Sequence, residues 1–92
     1  MLADALAVEE AGAFSVVLEI VVADIARQIT GTIGIPTIGI GSGKHCDGQI
    51  LVTHDLIGLF PWFTPKFVHP EAQVGAAIRD AVQRFVARTR AG

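Results

Sequence analysis

Glu19 stands alone in an apolar run, with Val16, Val17 and Leu18 before it and Ile20, Val21 and Val22 after it. An ionised carboxylate taken out of water is costly unless it is paired or neutralised, so its position calls for a reason. Two readings stay open on the residues alone. In one, Glu19 ends a strand that opens into an active-site mouth, where an apolar surround suits a general acid or base. In the other, it is a partly exposed glutamate that pairs with a neighbour.

Three further stretches carry chemistry-bearing residues. "GIGSGK" (residues 39–44) departs from the phosphate-binding loop pattern, which needs glycine where Ile38 stands and Ser or Thr where His45 stands. It also departs from the dinucleotide pattern, because Lys44 occupies the place of the last glycine. What remains is a loop whose backbone can approach a ligand at Gly41 and Gly43, which carry no Cβ, or else a plain tight turn. "KHCDG" offers His45 and Cys46, but adjacent residues rarely present their side chains to each other. A structural cysteine beside a loop histidine is the favoured reading there. "THD" (residues 53–55) offers His54 and Asp55, which on a helix point about 100° apart and have no third ligand one turn on.

Positioning these residues requires ordered elements. Leu2 to Ala11 reads as a helix with Gly12 as its stop. "AFSVVLEIV" is a β-branched run of strand length, continuous enough for a strand buried on both faces of a parallel sheet. "ADIARQIT" follows as a helix, with Asp24 in its first turn and Gly31 closing it; "IPTIGIG" is a second strand beginning at Pro36. "DGQILVTHDLIGL" suits a short helix, and residues 61–70, with three prolines, an extended connection, whose Trp62 and Phe63 together with the preceding Phe60 are expected to cover a barrel end. A long helix is expected over about Glu71–Arg90, with Val74, Ala77, Ile78, Ala81, Val82, Phe85 and Val86 as its apolar stripe.

Helix and strand alternating over short turns imply βαβ crossovers and a parallel sheet. Two such strands would each keep an open edge, which buried-type strands do not tolerate. A (β/α)8 barrel takes about 250 residues, so the fold class expected is α/β. More narrowly, residues 1–92 are expected to form the C-terminal third of such a barrel as a single partial unit, with two parallel strands and three to four helices.

Composition narrows the class further. Apolar residues make up 51% and charged residues 17%, rich for so small a chain, which points to surfaces meant to be covered. The net charge of −2 provides no basic footprint for nucleic acid or an anionic membrane. Gln28–Gly43, the longest uncharged run, is broken by Pro36 and by glycines and is too short to span a bilayer. One cysteine and no basic, apolar leader fit a reducing, cytoplasmic setting.

"ALAVEEAGAFSVVLEIV", "IPTIGIGSGKHCDGQILVTHD" and "TPKFV" together closely resemble the C-terminal part of the ketopantoate hydroxymethyltransferase family, from about residue 3 to residue 68 and more loosely beyond. The resemblance implies a (β/α)8 barrel that uses Mg2+ and 5,10-methylenetetrahydrofolate. It implies transfer of a hydroxymethyl group to 3-methyl-2-oxobutanoate, giving 2-dehydropantoate on the route to pantothenate. The family's catalytic base falls on Glu19. The departures are Val22 where the family usually has Pro, Ser42 where Ala is common, and "FVHPEAQ" in place of a more basic stretch. The family's aspartate metal ligands and its keto-acid-holding lysine and glutamate belong to earlier strands, and no aspartate here matches them. The expected partners are the keto acid and folate, together with further copies of the chain or a missing N-terminal barrel portion. The chain alone is expected to be inactive. The alternative is a catalytically silent remnant that acts only through oligomerisation.

Overall fold

The computed structural model describes residues 1–60 and 62–92, which form two units, Met1–Ile50 and Leu51–Gly92. The elements run α1 (Leu2–Glu10), β1 (Val16–Glu19), α2 (Ala23–Thr32), β2 (Thr37–Ile40), β3 (Gly48–Gln49), α3 (Thr53–Leu56) and α4 (Val74–Ala91).

In the first unit, α1 is built from Leu and Ala, both strong helix formers. It ends because Gly12 adopts φ +99°. Gly12 N–H then reaches Glu9 O at 3.0 Å and Ala13 N–H reaches Val8 O at 3.3 Å, the paired bonds that close a helix through a left-handed glycine. β1 and β2 pair in parallel, with Val16 beside Thr37 and Glu19 beside Ile40, and α2 crosses between them. The expected two strands become three, because Gly48–Gln49 pairs in parallel with Ile38–Gly39. The short helix expected from residue 47 onward is thereby shortened to Thr53–Leu56. Gly31 does not close α2. The helix runs through it to Thr32 and is stopped by the extended conformation of Ile33, whose side chain is buried in the core.

The core of this unit lies on one face of the sheet. Leu18 and Val21 pack there with Ala5 of α1, Ala26 and Ile29 of α2, and Ile33, while Cys46 packs at its margin. β1 alternates accordingly, Leu18 buried but Val17 54% exposed. The strand expected to be buried on both faces is therefore covered on one, and Val17 and Glu19 share the open face. Glu9 reaches back from α1 to accept the N–H groups of Gly34 and of Ile35 (3.1 Å), satisfying the loop that leads into β2.

In the second unit, α4 begins at Val74, three residues later than expected, and has no side-chain cap. Its first N–H groups are instead taken up by main-chain carbonyls, Val74 by Ile57 at 3.0 Å and Gly75 by Gly58 at 2.9 Å. The expected extended connection is interrupted by turns, one closed by Val68 N–H on Pro65 O at 3.0 Å; Pro61, which falls in that stretch, lies outside the described residues. Along the expected apolar stripe, Ile78, Val82, Phe85 and Val86 are all exposed.

Candidate functional site

Glu19 is the last residue of β1, exposed, on the sheet face opposite the helices. The chain turns sharply immediately after it. Ile20 has φ +51°, a left-handed conformation that is an outlier for a β-branched residue and costs on the order of 1–3 kcal/mol. Such a residue persists only where its surroundings over-determine it, and three hydrogen bonds do so. Ile20 N–H donates to Ile40 O at 2.8 Å, Val21 N–H donates to Ser42 Oγ at 2.9 Å, and Ser42 Oγ donates to Leu18 O at 2.7 Å. The turn reverses the strand's alternation, leaving Ile20 exposed and directing Val21 into the core ahead of α2. Val22, where the resembled family has Pro, keeps φ −53°, inside the range a proline ring imposes.

The glycine loop lies at the same end of the sheet. Gly41 and Gly43 both have positive φ, and a Cβ on Gly43 would lie 2.7 Å from Ala23 Cβ. The missing side chain at Gly43 thus serves close approach to the first residue of α2, so the segments after β1 and after β2 are neighbours. Gln49 Nε2 ties the loop down by donating to Gly43 O at 2.9 Å. The carboxyl ends of parallel strands, with their following loops, are where α/β proteins build their sites.

Of the other candidate residues, Cys46, Asp47 and His54 have partners of their own. His45 is exposed while Cys46 packs on the core. Asp47 is committed to Thr37, accepting its N–H at 2.9 Å. His54 stacks on Phe60, with ring centroids 5.3 Å apart, and Phe60 in turn meets Trp62. Among the described residues no three His, Cys, Asp or Glu side chains converge to hold a metal ion. A cavity of about 200 Å³ in the first unit is lined by Ala5, Val8, Val16, Leu18, Val21 and Ile29 among others, on the helix-covered face and away from Glu19. In the sequence Ser42 reads as a mere departure from Ala, and nothing there gives Glu9 or Asp47 a role. Their partners lie between 10 and 26 residues away, so no local pattern marks them.

A parallel α/β unit presenting a carboxylate at a strand's carboxyl end has the architecture of enzymes that work at that end of the sheet. The comparisons specify which. Residues 1–92 match the model of the family described as ketopantoate hydroxymethyltransferase, and the chain belongs to that family. It is 50% identical over 92 residues to a 3-methyl-2-oxobutanoate hydroxymethyltransferase of Citrifermentans bemidjiense, covering all of this chain and 34% of the relative. Proteins of the same name from Pelobacter propionicus and Heliobacterium modesticaldum are 53% and 55% identical over 97% and 92% of the chain, covering 33% and 31% of their own lengths. The chain spans about a third of the length of the curated relatives it matches.

Proposed function

We propose that residues 1–92 form the C-terminal third of a (β/α)8 barrel that transfers a hydroxymethyl group from 5,10-methylenetetrahydrofolate to 3-methyl-2-oxobutanoate, giving 2-dehydropantoate. Glu19 is its base. The observation that carries this reading is the place of Glu19: the last residue of β1, on the face the helices leave open, beside Ile40 and the glycine loop.

In this reading the Glu19 carboxylate takes the proton from C3 of the keto acid, which leaves C3 as the nucleophilic carbon that receives the hydroxymethyl group. Val17 shares its face and Ile20 lies beside it, so the carboxylate works against apolar surface once the barrel is closed. A base facing a weak carbon acid gains from such a surround, because water there would hydrate the charge that must react. The residues present do not fit a metal site, since Asp47 is engaged with Thr37 and no three ligands converge among the described residues. A magnesium ion would therefore be held by residues outside this chain, and no step is assigned to it or to the folate.

The test joins this chain to the N-terminal portion of the Citrifermentans bemidjiense relative and follows proton exchange at C3 of 3-methyl-2-oxobutanoate by NMR. The joined protein is expected to exchange that proton, and the 92-residue chain alone to show no exchange above buffer. A joined protein that folds yet neither exchanges the proton nor forms 2-dehydropantoate would overturn the reading.

A further inference from the structure

We propose that Ser42 is a positioning residue for Glu19, its buried hydroxyl clamping the main chain on both sides of the Glu19–Ile20 pair. The inference rests on Glu19 being the base. Ser42 Oγ donates to Leu18 O at 2.7 Å and accepts from Val21 N–H at 2.9 Å, the residues flanking that pair. The side chain is 1% exposed, so water does not compete for either bond.

Between the two clamped residues lies Ile20 at φ +51°. Released, a β-branched residue relaxes toward negative φ, and that rotation moves the peptide joining it to Glu19. The Ile20 N–H bond to Ile40 O holds the middle of the turn, but only Ser42 holds both flanks. An alanine at this position could form neither bond. Ser42 thus sharpens the placement of a carboxylate that works less accurately without it. A displacement near 1 Å at a reacting group can cost about a hundredfold, and a loosened turn should cost less.

The experiment uses the joined protein described above and compares the parent, Ser42→Ala, Glu19→Gln and the double variant in C3 proton exchange, with kcat and KM for the keto acid. Ser42→Ala is expected to lower kcat about tenfold, with KM within about twofold. In the Glu19→Gln background the same substitution is expected to cost nothing further. If Glu19→Gln exchanges at the parental rate, the base reading itself has failed and the positioning role falls with it. If Glu19→Gln is impaired but Ser42→Ala keeps the parental kcat, changes KM alone, or slows both backgrounds equally, the positioning role is overturned while the base reading stands. Ser42→Cys, a weak hydrogen bonder of similar size, provides the second arm should the alanine variant not fold. A reduced kcat at unchanged KM supports the clamp, and a parental kcat overturns it.

Discussion

Thr37 and Asp47 hold each other across the loop that follows β2. Asp47 Oδ2 accepts Thr37 N–H at 2.9 Å, and Asp47 N–H donates to Thr37 Oγ1 at 3.1 Å. Thr37 is wholly buried, and its hydroxyl also meets Thr30 Oγ1 of α2 at 2.8 Å. One carboxylate therefore ties the end of the glycine loop back to the first residue of β2 and, through Thr37, to α2. Asp47→Ala leaves a buried N–H without its partner and should destabilise by about 1–3 kcal/mol. Asp47→Asn, which keeps an acceptor, should lose less. Urea denaturation of the joined protein checks the order; equal midpoints for parent and Asp47→Ala would refute it.

Glu9 makes the equivalent connection from α1. Removing its carboxylate in Glu9→Ala frees the N–H groups of Gly34 and Ile35, and both amides should exchange with solvent faster than those of Ile29 and Ile33. The loss of two charge-assisted bonds at a partly exposed site is expected to cost about 1–2 kcal/mol. Unchanged protection of the two amides would show that the loop holds itself.

Two glycines should respond in opposite directions to the same substitution. Gly31 lies within α2 with open space where a Cβ would sit, so Gly31→Ala should add about 0.5–1 kcal/mol. Gly43 is left-handed and faces Ala23, so Gly43→Ala forces strain and a clash and should lower the melting temperature. Calorimetry on the pair decides; a rise for both, or a fall for both, contradicts the local geometry described.

Glu19→Gln retains size and polarity while removing the carboxylate proposed as the base. Proton abstraction at C3 should slow by about 10²- to 10⁴-fold, with the loss in turnover rather than in keto-acid affinity. Parental exchange in this variant would leave the strand-end glutamate as an ordinary solvated side chain.

The 92-residue chain exposes large apolar side chains: Phe14 is 88% exposed, Ile20 64% and Val22 66%, and Phe85 on α4 is 61% exposed. Extensive exposed apolar patches favour association. The 92-residue chain is expected to sediment as a species larger than a monomer at micromolar concentration. A monomer with a sharp, cooperative melt would exclude this.

Much is legible from residue order. Alternating helix and strand runs, with β-branched Val16–Leu18 and the Ile38–Ile40 segment, specify a parallel α/β unit, because periodicity and propensity act within a few residues. Glu19 stands out for the same reason, as one charge in an apolar run. Chain order does not show β3, since Gly48–Gln49 has no strand propensity and becomes extended only by pairing with Ile38–Gly39. Nor does it show that Gly31 is helical or that Glu9, Ser42 and Asp47 brace the site. Those outcomes depend on partners brought close by folding, because hydrogen bonds and close packing are settled by distance in space, which the order of residues alone does not contain. The sequence thus determined the main helices and the first two strands and which carboxylate to watch. The tertiary structure decided the turn that presents that carboxylate, because Ile20 can hold its left-handed conformation only once Ile40 and Ser42 lie against it.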